Sequence, residues 1–283
     1  MMRALAYAKI NLALAVFPAA ADGMHPIRGI FQSIALADTV DISMAREDSV
    51  TVSNDEAPDD TSNLAWVAFD AARRSARVGQ TAAITITKRI PAGAGLGGGS
   101  ADAAAALGLT AERFGIDDDT VHDIAQSIGS DVPFALSGGT SLVEGRGERL
   151  TPMKPLDEFA LAVVVPPFLL ATADVYQRWD ALGSPEGKAI LDSDLPPSLR
   201  GGLPVRNDLY PAAVSLDPRV GDWRGELESL WGTAVAMTGS GSALFSFFGS
   251  LDEADGAASA VTMPTRLSTG VDLSLTGWDA IDG

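Results

Sequence analysis

PAGAGLGGGSADAAA, residues Pro91 to Ala105, sets five glycines (Gly93, Gly95, Gly97, Gly98 and Gly99) within seven positions and then runs directly into an alanine-rich segment. Glycine at that density strips away side chains, so that backbone N–H groups can close around something small. A helix expected to open at Ser100 and run to Phe114, stopping near Gly115, adds the positive end of its dipole at the same point. The combination reads as a phosphate-binding loop.

Three other readings of the stretch compete. A flexible linker would mix Gly with Ser and polar residues, whereas here Ile84, Ile86 and Ile90 precede the glycines and Ala103 to Leu109 follow them. Gly93, Gly95 and Gly98 satisfy G-x-G-x-x-G, but a dinucleotide fingerprint needs a buried strand directly before it, and ITITKRIP alternates and ends in Pro91. A Walker A loop needs Gly-Lys-Ser/Thr at its end, and Ser100 is preceded by Gly99.

Pro-x-Gly-x-Gly-Leu-Gly-Gly-Gly-Ser-Ala-Asp resembles the phosphate loop of the GHMP small-molecule kinases, which include galactokinase, homoserine kinase and mevalonate kinase. Most of these carry Gly-Leu-Gly-Ser-Ser-Ala; the triple glycine is similar to the branch that acts on 4-diphosphocytidyl-2-C-methyl-D-erythritol. AYAKINLAL (Ala6 to Leu14) and GSDVPFALSGGTSLVEGRGE (Gly129 to Glu148) resemble the N-terminal and catalytic segments of that branch, and TGSGSALF (Thr238 to Phe245) resembles a late glycine motif. The resemblance implies an α+β, two-domain GHMP kinase fold. A nucleotide-binding domain over 1–153 and a second domain over 154–283 would hold the active site in the cleft between them. It also implies transfer of the γ-phosphate of ATP, with Mg2+, to the 2-hydroxyl of that substrate in the non-mevalonate (MEP) pathway of isoprenoid biosynthesis. The alternatives are a sister kinase of the homoserine or mevalonate type, or a silent GHMP-fold nucleotide binder.

Composition sets the outer limits. With 283 residues, 46% of them hydrophobic, the chain can bury a large core. No cysteine is present, which excludes disulfides and thiolate metal sites. No apolar run approaches the roughly 20 residues of a membrane helix, and Lys9 and Asn11 interrupt the N-terminal apolar stretch. A cytoplasmic protein without membrane contacts, a monomer or weak homodimer, is expected. A net charge of −17 speaks against a nucleic-acid partner. Anionic substrates then require a local positive field from backbone amides, a helix end and the nearest cations, Lys9, Lys88 and Arg89. The acidic runs Asp55 to Asp60 and Asp117 to Asp119 lack the ligand spacing of a calcium loop and read as solvated loops.

Alternation at Val40 to Met44, Ser49 to Ser53 and Ala82 to Thr87 predicts strands, and apolar spacing predicts helices over Asn63 to Arg74 and Val121 to Ile128. Strands with helices packed against them make an α+β architecture. A composition shift near Pro152 to Pro155 marks a boundary, after which ALAVVVPP reads as a buried strand.

The resemblance also distributes roles. Asp131 becomes the base that accepts the hydroxyl proton, although Asp after Gly-Ser is commonly a turn or cap residue. Lys9 becomes its partner, since a lysine among Ile10, Leu12 and Leu14 needs an anion beside it. Asn11, two residues on along a strand, shares its face. Pro91, Gly93, Gly95, Leu96, Gly97, Gly98, Gly99, Ser100 and Ala101 would line the ATP phosphates, with Ser100 a candidate magnesium ligand; Asn63 and Lys88 would complete the adenine and phosphate pocket. His25, in DGMH where the family has an aromatic in place of Met24, and Tyr176 would take the cytosine, with Gly239 and Ser240 at the substrate end. Asn207 and Asp208 resemble a family pair near the cleft.

Overall fold

A computed structural model describes residues 1–54 and 56–281, leaving Asp55 of the first acidic run outside the described residues. The chain opens with two long strands, β1 (Met2–Val16) and β2 (Ile27–Met44), then β3 (Ser49–Val52), α1 (Leu64–Ser75) and β4 (Ala82–Thr87). Next come α2 (Gly98–Phe114), α3 (Asp118–Ile128), α4 (Val132–Ser137), β5 (Thr140–Gly145) and β6 (Arg149–Pro152). The remainder is β7 (Ala160–Val165), α5 (Thr172–Ala181), α6 (Tyr210–Leu216), α7 (Arg219–Trp231), β8 (Ala236–Met237), β9 (Leu244–Phe248), α8 (Leu251–Ser259), β10 (Leu267–Val271) and β11 (Trp278–Ala280).

The strands form two sheets. The larger has the order β11-β1-β2-β4-β3, and because β2 is so long its first half also pairs with β5, which carries β6. Within this sheet, among the described residues, β3 and β4 are the one parallel pair. The smaller sheet, β10-β7-β9-β8, is antiparallel, and β7 at its centre is buried at every position, as ALAVVVPP predicts. The change of sheet falls between β6 and β7. β11 then returns to the larger sheet, pairing Ala4 to Ala6 with Trp278 to Ala280.

α2 is the central element. Its alanines are buried almost all round, and their small size lets α1, β1 and α4 approach closely. Gly108 has no room for a side chain because the Trp278 indole lies against it. A second core joins the two sheets: Ala8, Ile10 and Ile34 pack with Leu96, Leu161 and Phe245. The two sheets are therefore joined by shared apolar packing.

Three sequence expectations move by a few residues. α2 begins at Gly98 rather than Ser100, since the break in helical geometry is the left-handed Gly97 (φ 73°). α3 begins three residues before Val121, because Asp117 accepts the Thr120 N–H and caps it; that acidic run is a helix start, not simply a solvated loop. Asn63 lies outside α1 as its cap, accepting the Ala65 N–H.

Candidate active site

A cleft of ≈1100 Å³ runs between the phosphate loop, the end of β1, the start of α4 and α5. Its chemistry begins with an uncapped helix. α1, α3 and α8 are capped by the side chains of Asn63, Asp117 and Ser250, whereas no side chain caps α2. Gly97, Gly98, Gly99 and Ser100 line the cleft, so the first amides of a 17-residue helix face open space. That is an anion site built from backbone.

The loop before it is held on both sides. The Lys9 N–H donates to the Leu96 carbonyl (2.9 Å), and the Ala243 N–H donates to the Ala94 carbonyl (3.1 Å). At its entry, Glu56 accepts the Ala92 N–H (2.7 Å) and pairs with Arg266 (2.5 Å), which also donates to the Ala92 carbonyl. Burial alone would raise the Glu56 carboxyl, but Arg266 and the Ala92 N–H hold it below its usual range. Glu56 therefore corrects the expectation of a solvated acidic loop: it anchors the phosphate loop.

Lys9 and Asn11 sit on one face of β1, between two irregularities in its pairing with β2, at Tyr7/Ala8 and Asn11/Ala13. The buried Lys9 ammonium donates to Asn11 Oδ1 (2.8 Å), lies 3.4 Å from Asp131 Oδ2 and stands 5.2 Å from the Phe31 ring. Asp131 precedes α4 but caps nothing: its side chain makes no cap hydrogen bond, leaving the carboxylate to Lys9 and the cleft.

At the other end, His25 Nε2 lies 3.0 Å from both Asp180 oxygens. A carboxylate only accepts, so Nε2 carries the hydrogen and the ring is fixed in orientation. Tyr176 stands 5.0 Å from that ring and Trp179 packs edge-on to it at 5.7 Å. Burial, reinforced by Asp131, pushes the Tyr176 phenol up to about 12, so it presents a neutral ring at working pH. Arg146, at the cleft wall, pairs with Asp22 of the loop that carries Met24 and His25.

Three sequence assignments change. Ala101 does not line the cleft; it is buried in the core on the inner face of α2. Arg89 is exposed and does not line the cleft. Lys88 lines the cleft wall beneath Gly98, but its ammonium is already held by Asp38 (2.5 Å) and Asp102 (2.7 Å). Burial would lower its proton affinity, and the two aspartates outweigh that and raise it. Asn63 faces the cleft too, though its amide is occupied by Ala65 and Pro58. Every other residue assigned to ATP or substrate, Pro91 and Ser240 included, lines this one cleft.

Asp102 was unassigned in the sequence, and its Oδ1 is buried with no partner among the described residues. Burial first, and then the charge of Asp38, push its carboxyl up to about 7 against the pull of Lys88. Its folded pKa lies above the unfolded value near 4, so between about pH 4 and pH 7 the folded chain holds a proton that the unfolded chain has lost. Stability from this group falls as pH rises through that window. Asp102→Asn is expected to gain stability relative to the parent as pH goes from 5 to 8, read as denaturation midpoints without nucleotide and with a chelator present. A constant difference across that range would show that Asp102 ionises normally.

Asn207, whose role the sequence left open, donates to the carbonyls of Met237 and Gly239 (both 2.8 Å), and Asp208 accepts the N–H groups of Val16 and Gly187. The pair fastens the late glycine turn to the end of β1.

Comparison with known proteins agrees with this geometry. A family model, GHMP kinases N terminal domain, matches residues 63–139. The 4-diphosphocytidyl-2-C-methyl-D-erythritol kinase of Carboxydothermus hydrogenoformans is 34% identical over 270 residues, covering 93% of this chain and 94% of that one. The enzyme of the same name from an Anaeromyxobacter species is 40% identical over 265 residues, covering 91% and 85%. A crystal structure of 4-(cytidine 5'-diphospho)-2C-methyl-D-erythritol kinase superposes with a TM-score of 0.75 at 31% identity, over 95% of this chain and 99% of that one. Homoserine kinase from Cytophaga hutchinsonii, at 15% identity and a TM-score of 0.71, shares the fold. With the uncapped glycine helix, the Lys9–Asp131 pair and relatives matched along nearly their whole length, the chain belongs to the 4-diphosphocytidyl-2-C-methyl-D-erythritol kinase family of the GHMP kinases.

Proposed function

We propose that the chain transfers the γ-phosphate of ATP to the 2-hydroxyl of 4-diphosphocytidyl-2-C-methyl-D-erythritol, a step of the MEP route to isoprenoids. The observation that carries this reading is one cleft with a backbone anion site, a lysine-paired carboxylate and a fixed imidazole among aromatic rings. The α2 amides hold and orient the ATP phosphates, and Asp131 takes the proton of the attacking hydroxyl as the oxygen bonds to phosphorus and the ADP oxygen leaves. Lys9 keeps that carboxylate in place, and its charge favours the anionic transition state. The transfer is direct, with no phosphoenzyme. His25 and Tyr176 take the cytosine, while Gly239 and Ser240 close the substrate end.

Magnesium fits as a passenger of the nucleotide. Among the described residues no three acidic or histidine side chains cluster into a metal site, and a phosphate-bound magnesium that keeps its waters needs little from the protein. The Ser100 hydroxyl is the oxygen that would hold it, and bound there it would neutralise phosphate charge. In this reading the part of the chain up to residue 153, completed by the returning β11, binds nucleotide, the part from 154 to β10 closes the substrate side, and the protein works in the cytoplasm as a monomer or weak homodimer, apart from nucleic acid and membranes.

ADP release is the test, with ATP, magnesium and the cytidyl alcohol beside homoserine and mevalonate. Turnover of the cytidyl alcohol alone, competed by CDP, is expected. Turnover of another alcohol would move the protein to a sister activity, and none at all would make it a silent binder.

A further inference from the structure

We infer that Thr238 is a positioning residue for phosphoryl transfer, its hydroxyl locking the Asn11 amide and, through it, seating the Lys9 ammonium against Asp131. This deepens the proposed kinase reaction and rests on it.

Thr238 is fully buried at the start of the late glycine turn, 227 residues from Asn11 in sequence. Its Oγ1 accepts the Asn11 backbone N–H at 2.9 Å, so its own hydrogen must go elsewhere. Two acceptors lie within reach, Asn11 Oδ1 at 3.2 Å and the Gly95 carbonyl at 3.4 Å. The nearer is the Asn11 side chain, so one hydroxyl holds both the backbone and the amide of the same residue.

This fixes which way the amide points. Asn11 Oδ1 receives the Thr238 hydroxyl and the Lys9 ammonium (2.8 Å) together, and only an oxygen can do so. The NH2 group is then left to the cleft, which Asn11 lines. Lys9 is confined on its remaining sides by the Phe31 ring and by Gly97, where an added Cβ would stand 3.0 Å from Lys9 Cγ. Its ammonium has one free course, toward the Asp131 carboxylate and the cleft.

Loss of the hydroxyl would free the amide to turn. A turned amide aims N–H at an ammonium, two donors with no acceptor between them, and displaces Lys9 from Asp131. A displacement of that kind costs rate more than binding.

The experiment measures kcat and KM for Thr238→Val, which keeps the shape, and Thr238→Ser, which keeps the hydroxyl, with Thr238→Ala as a second hydroxyl-free variant should the valine variant fail to fold. Expected is a kcat loss of about 10- to 100-fold for Val or Ala, an unchanged KM for ATP, and near-parental kcat for Ser. Adding Thr238→Val to Lys9→Met should cost nothing beyond Lys9→Met alone. Equal losses for Val and Ser, a parental kcat for Val, or multiplicative losses in the double variant would overturn the assignment. If the parent itself does not turn over the cytidyl alcohol, the kinase reading falls, and the Thr238 assignment is judged on the Lys9 ammonium protons by 15N-lysine NMR. Slow exchange in the parent and in Ser with fast exchange in Val supports it, and equal exchange in all three overturns it.

Discussion

Asp131→Asn is expected to lower kcat by about 10²- to 10⁴-fold, the range for losing a positioned general base, while leaving KM for ATP close to that of the parent. Asparagine matches the carboxylate in shape, so α4 and the buried Val132 and Phe134 beside it stay packed. The variant removes the proton acceptor and the charge that faces Lys9 at 3.4 Å. No helix cap is lost with it, because the Asp131 side chain caps nothing. Single-turnover ADP formation separates chemistry from product release. A loss of less than about tenfold would mean that the hydroxyl proton leaves by another route and that Asp131 only tunes the local field.

Gly95→Ala is the second large effect, and it acts through backbone. Gly95 has φ +81°, where a side chain is strained, and an added Cβ would collide with the Thr238 carbonyl oxygen. The opposing turn cannot retreat simply, because the Asn207 side chain holds the carbonyls on either side of Thr238, those of Met237 and Gly239 (both 2.8 Å). The phosphate loop must shift instead, carrying the α2 amides out of line. We expect a destabilisation of about 1–3 kcal/mol and loss of the thermal stabilisation that ATP gives the parent. Gly79→Ala is the control, since Gly79 lies outside the cleft and its Cβ would meet nothing within 4 Å. A Gly95→Ala variant that keeps both stability and ATP binding would show that the two glycine turns are not in register in solution.

Local pattern carried much of this in the sequence. The glycine run, the alternating strands and the alanine helix are each written within some fifteen residues, and the family resemblance placed Lys9, Asp131, His25 and Tyr176, which the folded chain brings into one cleft. What escaped depends on distant pairing. β2 extends far beyond its alternating end because its first half is buried on both faces, Ile30 and Ile34 in the core between the sheets and Ile27 and Phe31 in another, so the apolar-polar period is lost there. Lys88 resembles a phosphate ligand until Asp38, fifty residues away, arrives at its ammonium. The side chains of Asp180 and Thr238 meet His25 and Asn11, 155 and 227 residues distant, and no spacing rule connects them. Ala101 shows the opposite error: adjacency to a motif implied contact, whereas the helical turn aims it into the core.

The return of β11 to the larger sheet affects how the molecule can be made. The free flank of β1 at Ala4 to Ala6 is covered only by Trp278 to Ala280, and the Trp278 ring fills the space over Gly108. On a ribosome, β1 emerges more than 250 residues ahead of its cover, so α2 and the helices around it must wait with an open strand flank and an unfilled groove until β11 is out. An unpaired strand flank is a template for other chains. The risk for this protein therefore lasts until β11 is made, and stalling before residue 278 would leave the β1 flank open to pair with neighbouring chains.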